Sequence, residues 1–206
     1  MSKWFIRPCK VDIGNMCRKM GINVPLALAL QSKGLNTPKK VKDYFNTENY
    51  NFGDITKLIG VKRSFEIIEK AINERKKIFI YGDYDVDGVT STVILYKSLK
   101  AIGADVFYYI PNRVKDGYGL NVNAIERLIE KGMELLITCD NGIAAIEEIK
   151  YAKEKGIDVV IYDHHEPVIK DGKEVLPEAD SVTDAKIENC GYDFTVMCAG
   201  GLCYRV

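Results

Sequence analysis

From residue 61 onward the hydrophobic pattern alternates between short apolar runs and helical spacings. Val61 to Lys77 places Phe65, Ile68 and Ile72 on one side and Lys62, Glu66 and Lys70 on others, which predicts an amphipathic helix. Ile78-Phe79-Ile80-Tyr81 follows, a short, partly β-branched apolar run of the kind a buried strand requires. The alternation then repeats. It predicts a helix from Val89 to Ile102 stopped by Gly103, a strand from Asp105 to Ile110 closed by Pro111, and a helix from Val122 to Lys131 stopped by Gly132. A strand from Leu135 to Thr138, a helix from Ile143 to Lys155 stopped by Gly156, and a strand from Val159 to Tyr162 complete the series. Strand and helix at this rhythm imply right-handed crossovers, so the expected class is α/β, a parallel sheet flanked by helices.

Residues 1 to about 60 read differently, with short helical patterns and no clear strand. Thr37-Pro38 has the form of an N-cap followed by Pro at the first helical position, opening a helix through Val41 and Phe45. The expected organisation is a small helical lead-in over residues 1–60 and one α/β domain over residues 61–206. Met197 to Val206 begins an apolar stretch with a Gly-Gly pair and no helix terminator, which reads as a cut within a longer protein.

Composition narrows the function classes. Of 206 residues, 47% are hydrophobic and 28% charged, an ordinary globular balance. Lys plus Arg is 29 and Asp plus Glu is 29, so the formal net charge of +0 argues against a bulk basic nucleic-acid binder while leaving a local basic groove open. The apolar stretch from Val24 to Leu30, interrupted by Pro25, is too short to span a bilayer, and Met1 does not open a signal-peptide pattern. The six cysteines form no C-x-x-C pair, and reduced thiols in a cytoplasmic protein are expected.

The chemistry gathers at the strand ends. The first strand runs into Gly82-Asp83-Tyr84-Asp85-Val86-Asp87-Gly88, the third into Cys139-Asp140-Asn141-Gly142, and the fourth into Asp163-His164-His165-Glu166. In an open parallel sheet ligands bind outside the carboxyl ends of the strands, so five aspartates and two histidines distant in sequence should converge in one crevice. So many carboxylates repel one another unless divalent cations lie among them. Oxygen ligands mixed with imidazole suit Mn²⁺ or Mg²⁺, and two cations sharing a carboxylate suit in-line displacement at phosphorus. Each fragment alone is weak: a single D-x-D is usually a turn, and Asp140 alone reads as well as a helix N-cap. Their joint occurrence at three strand ends carries the inference.

These residues resemble the DHH phosphoesterase family, with Gly82 to Gly88, Asp140-Asn141-Gly142 and Asp163-His164-His165 similar to its first three motifs. Ile110-Pro111-Asn112-Arg113, then Asp116-Gly117-Tyr118-Gly119-Leu120, and later Cys198-Ala199-Gly200-Gly201, resemble the RecJ branch of that family, the 5′-to-3′ exonucleases of single-stranded DNA. The resemblance implies that Asp85 and Asp87 bind metal, one on each ion, that Asp140 bridges the two, and that His164 is a ligand with Asp163 as its orienting partner. It implies a contact from His165 to the substrate phosphate. Asp83 stands near the place where other branches have a His ligand, which implies a metal role there too. Arg113 becomes a candidate phosphate contact, against the alternative of a surface ion pair. Tyr118 becomes a candidate base-stacking residue, against simple packing beside its glycines.

The resemblance further implies single-stranded DNA as partner, a role in DNA repair and recombination, other repair proteins such as a helicase or a single-strand-binding protein, and no membrane. Downstream it implies a further Asp ligand, a second domain and an OB-fold. Members of that branch often carry Asn-Pro near Thr183-Asp184-Ala185 and Pro where Asp193 stands; this chain has neither. Three other readings compete. Asp85-Val86-Asp87-Gly88-Val89 also fits the haloacid dehalogenase signature, but that nucleophile belongs directly on a strand end, and Asp163-His164-His165 has no place in its mechanism. A DHH phosphodiesterase of short oligonucleotides or cyclic dinucleotides is the second alternative. A non-catalytic nucleic-acid-binding relative or inactive fragment is the third, and the filled ligand positions speak against it.

Overall fold

The computed structural model describes residues 12–46, 52–114, 117 and 119–206. The chain divides into two compact units, residues 1–51 and 52–206. In the first, α1 (Ile13–Met20), α2 (Val24–Ser32) and α3 (Pro38–Phe45) each start on a side-chain cap. Asp12, Asn23 and Thr37 accept the backbone N–H groups of Asn15, Leu26 and Lys40, leaving fewer orphan donors at each helix start. Met16, Ala27, Leu30 and Val41 form its small core.

The second unit opens with one 3₁₀ turn, Ile55–Lys57, and then runs α4 (Val61–Asn73), β1 (Ile78–Tyr81), α5 (Val86–Ala101), β2 (Val106–Tyr109), α6 (Val122–Glu130), β3 (Leu135–Cys139), α7 (Ile146–Glu154) and β4 (Asp158–Asp163). A two-stranded hairpin, β5 (Val168–Lys170) and β6 (Lys173–Val175), leads to β7 (Ser181–Asp184), and α8 (Ala199–Arg205) follows. The five-stranded sheet has the order β2-β1-β3-β4-β7, and every pairing in it is parallel. Both faces are covered. Ile78, Ile80, Leu135, Ile137, Val160 and Tyr162 pack with α4, α5 and α8; Phe79, Leu136, Val159 and Ile161 pack with Ile125 and Leu128 of α6 and Ile149 of α7. Strands buried on both sides are continuous apolar runs, which is why the sequence revealed them.

Two helix starts are corrected. Helix α5 starts at Val86, three residues before Val89, because Asp85 caps it by accepting the Gly88 N–H at 2.9 Å. Helix α7 starts at Ile146, three residues after Ile143, whose N–H donates to the Asp163 carboxylate in the loop that precedes the helix. A fifth strand, β7, lies beyond the four expected. Residues 52–60 belong to the sheet unit: Leu58 is in its core and the Ile59 N–H donates to the Cys190 carbonyl. Among the described residues no helix is long and apolar enough to cross a membrane.

Gly60 ties α4 to β7. Its carbonyl accepts from the Ser181 hydroxyl at 2.8 Å, its φ is +84°, and a Cβ there would lie 2.1 Å from the Val182 carbonyl oxygen. Gly103 has the same φ of +84° with open space around it. Gly103→Ala should therefore cost about 1 kcal/mol of backbone strain, and Gly60→Ala, which adds a backbone clash, about 3 kcal/mol or more. Urea unfolding of the two variants measures the difference; equal losses would mean that the β7 contact contributes nothing beyond φ.

Candidate metal centre

The carboxyl ends of β1, β3, β4 and β7 bring acidic residues together, and the local backbone decides what each can do. Between β1 and α5 the turn is tight: a Cβ on Gly88 would lie 2.6 Å from the backbone of Asp83. Asp83 is consequently buried, and neither of its carboxylate oxygens has a hydrogen-bond partner of ordinary geometry. Burial raises its pKa, partly offset by the backbone N–H groups of Tyr84 and Asp85. Asp85, more exposed, is held low chiefly by the Gly88 N–H. Asp87, in the first turn of α5, accepts from Ala199 N–H at 2.9 Å through Oδ2 and from Gly200 N–H at 2.7 Å through Oδ1, joining α5 to the start of α8.

Asp140 leaves β3 in the left-handed conformation, φ +62°, which a non-glycine residue adopts at a cost of about 1–3 kcal/mol. Five residues separate it from α7, so it is not that helix's N-cap. Its carboxyl is 2% exposed and pushed up to about 8, first by burial and then by the charges of Asp87 and Asp85. Its Oδ1 lies 3.0 Å from His164 Nε2, which is also 3.4 Å from Asp87 Oδ2.

Asp163 ends β4 and is surrounded by donors. Oδ2 accepts the Ile143 N–H at 2.9 Å, and Oδ1 accepts the His164 N–H at 2.8 Å and the His165 N–H at 3.3 Å. The imidazole on Asp163 is that of His165, with Nδ1 at 2.7 Å from Oδ1. The expected side-chain contact from Asp163 to the His164 ring is thus corrected: Asp163 holds the His164 backbone and the His165 ring. This contact is the main cause raising His165 to about 9, so its ring carries a positive charge at neutral pH.

Two groups of side chains offer ligand atoms within 4.8 Å of one another: Asp83, Asp85 and Asp140, and Asp140, His164 and His165. Asp140 is common to both. Hard carboxylate oxygens and imidazole nitrogens are the donor set of Mn²⁺ or Mg²⁺. The unpartnered oxygens of Asp83 and the destabilised charge of Asp140 are what a bound cation would relieve. Arg113 is exposed, with its guanidinium carbon 5.4 Å from the Tyr84 ring centroid beside these aspartates. Tyr118, the stacking candidate, lies outside the described residues. A cavity of about 330 Å³ opens beside Asp163 and His165, lined by Leu120, Asn141, Ile143 and Glu148 among others.

One acidic neighbour escaped the sequence reading. Asp184 ends β7, pairs in register with Asp163, and is fully buried with Oδ2 unpartnered. Its carboxyl is pushed up to about 7, first by burial and then by Asp163 and Glu166, against the lowering effect of the Lys186 N–H and His165. The only signal was a fourth Asp after an apolar–polar alternation, Val182-Thr183. The role of Asp87 in starting α8 was equally hidden, since no spacing links it to Ala199 and Gly200.

Comparison with known proteins agrees with this architecture. Residues 77–206 match the family model described as DHH family, N-terminal domain. The chain is 38% identical over 205 residues to the single-stranded-DNA-specific exonuclease RecJ of Bacillus subtilis, covering 99% of this chain and 25% of that one. It is 37% identical over 148 residues to RecJ of Haemophilus influenzae, covering 71% of this chain and again 25% of the other. The chain thus spans about a quarter of the length of these relatives. Among solved structures, an exonuclease RecJ bound to manganese superposes with a TM-score of 0.64 at 30% identity, over 72% of this chain and 36% of that one.

Without metal, Asp140, Asp184 and His165 all bind their protons more tightly folded than unfolded. Unfolding then releases protons, so stability falls as pH rises. For the carboxyls the window runs from the ordinary 3.8 to about 8 and about 7, and for His165 from 6.5 to about 9. In chelator, the melting temperature should fall steadily from about pH 5 to about pH 9. Asp140→Asn should flatten that slope, as should saturating Mn²⁺. A melting temperature in chelator that climbs with pH would contradict the assignment.

Proposed function

The chain belongs to the DHH family, and from that premise we propose that it carries the metal-binding core of an exonuclease that hydrolyses the phosphodiester bonds of single-stranded DNA from the 5′ end. The enzyme would act in DNA repair and recombination in the cytoplasm, beside partners such as a helicase or a single-strand-binding protein. The organisation proposed is a helical lead-in followed by the DHH domain. The single observation that carries the reading is the position of Asp140, common to two groups of ligand side chains at the carboxyl edge of the sheet. Similarity to RecJ enzymes, one of them solved with manganese, supports it.

In this proposal Asp83, Asp85 and Asp140 hold one divalent cation, and Asp140, His164 and Asp87 the other. The cations, Mn²⁺ or Mg²⁺, would supply a more acidic water and neutralise charge on the phosphoryl group. The protein's own groups do the rest. His165, kept protonated by Asp163, donates toward a phosphate oxygen where negative charge builds up. Asp163 fixes that ring and the preceding backbone. Arg113, on the Tyr84 face, offers a planar guanidinium to a phosphate of the strand.

Calorimetric titration of this chain with Mn²⁺ should show binding that Asp140→Ala largely abolishes; wild-type affinity in the variant would remove Asp140 from the bridging position. The full-length protein should release mononucleotides from 5′ ends of single-stranded DNA, leave blunt duplex nearly untouched, and stop in excess chelator.

The two histidines should separate in the same enzyme. His164→Ala should lose Mn²⁺ affinity and turnover together. His165→Ala should keep metal affinity and lose turnover by roughly 10²–10³, the effect of removing one oxyanion donor. If His165→Ala loses metal as severely as His164→Ala, both rings are ligands.

A further inference from the structure

Charge is segregated along the chain. Residues 1–51 carry nine Lys and Arg against three Asp and Glu, whereas residues 52–206 carry 20 against 26. The net charge of +0 is therefore the sum of a basic unit and an acidic one. In the basic unit Arg18, Lys19, Lys33, Lys39, Lys40 and Lys42 are all exposed, and none forms an ion pair among the described residues. Three of them lie on α3, whose Val41 is fully buried in the unit's core, so the helix is anchored while its lysines face solvent. Tyr44 and Phe45 follow these lysines after one exposed carboxylate, Asp43. Each is 56% exposed, and their rings meet edge to face with centroids 5.3 Å apart.

Cations that track a phosphate backbone, interleaved with aromatic faces on which bases stack, are the composition of sequence-tolerant single-strand binding surfaces. The acidic unit has no comparable surplus of cations, with 20 Lys and Arg against 26 Asp and Glu, and Arg113 on the Tyr84 face is the candidate phosphate contact named there. We infer that the N-terminal helical unit binds single-stranded DNA, through Lys39, Lys40 and Lys42 on phosphates and Tyr44 and Phe45 on bases. This rests on the nuclease reading and names a second surface for the strand, on the other unit of the chain. Being on one chain with the metal centre, such a surface raises the local concentration of strand without adding any contact at that centre.

The test is fluorescence anisotropy of the whole chain with a labelled oligothymidylate of about 20 nucleotides, in chelator, from about 50 to 200 mM salt. Chelator prevents digestion and leaves the acidic centre repulsive, so binding then reports on other surfaces. The triple variant K39A/K40A/K42A should bind at least about tenfold more weakly at the lowest salt. Its log–log salt slope should be shallower by roughly 2, about 0.7 for each lost phosphate contact. K39R/K40R/K42R should keep both affinity and slope, which separates lost charge from lost folding. Tyr44→Ala with Phe45→Ala should weaken binding at unchanged slope. Wild-type affinity and slope in the triple alanine variant, or binding of phosphatidylserine vesicles but not of the oligonucleotide, would overturn the inference. Mn²⁺ affinity of the triple variant should equal wild type. Failure of Mn²⁺ to bind the wild-type chain would count against the metal centre and leave the anisotropy result to stand by itself.

Discussion

Repulsion among carboxylates crowded at one sheet edge is the constraint around which this molecule is organised. Backbone donors relieve it unevenly. Asp163 receives three backbone N–H groups and the His165 ring, Asp87 receives two N–H groups from the start of α8, and Asp85 receives that of Gly88. Asp83 has no hydrogen-bond partner of ordinary geometry on either oxygen, and Asp140 meets the His164 ring and the Asp85 carboxyl but no backbone donor among the described hydrogen bonds. The two least compensated carboxylates are also the two most buried of those on the β1 and β3 loops. A buried carboxylate with few donors either keeps its proton or meets a counter-charge, so Asp83 and Asp140 are the residues that a cation would relieve most.

The same carboxylates hold the architecture. Asp85 starts α5, Asp87 fixes α8, and Asp163 pins the loop after β3 through the Ile143 N–H. The loop they pin contains Asp140 with its positive φ, a strained conformation that survives because its neighbours over-determine it. Stability and site geometry are thus coupled through shared hydrogen bonds, and losing an aspartate here perturbs a helix start or a loop as well as a ligand.

That double use explains what could and could not be read from the residues. β1, β3 and β4 were legible because burial on both faces makes them apolar runs, and their acidic exits then fell at one edge by topology alone. β7 was not, since Ser181-Val182-Thr183-Asp184 offers one aliphatic residue and lies at the sheet's end. The start of α5 was hidden inside the metal motif, where Val86 is 83% exposed and Gly88 stands in the first turn, so the pattern looked like a loop until Val89. The partner of Asp163 was misjudged for a related reason. Past the end of β4 the alternation of a strand no longer says which way a side chain turns, so adjacency alone could not show which of the two imidazoles Asp163 meets. Asp163 takes the His165 ring, and His164 is left to face Asp140 and Asp87.

The charge balance of the centre gives the proposed chemistry a direction. Without a cation, a phosphodiester approaching the sheet edge meets a cluster of aspartates among which Asp85 is held low by the Gly88 N–H, and the positive ring of His165 is already engaged by Asp163. Two divalent cations would cancel four carboxylates, so that the charges left facing the substrate would be His165 and the Arg113 guanidinium on Tyr84. The sign of the field at the scissile phosphate would then reverse, from repulsive to attractive, without movement of the backbone. Metal loading under the proposed scheme is thereby a condition for binding the strand at the centre as well as for cleaving it. A nuclease with this arrangement would depend, when unloaded, on cations elsewhere in the chain to stay with its substrate, and residues 1–51 are where this chain keeps its surplus of them.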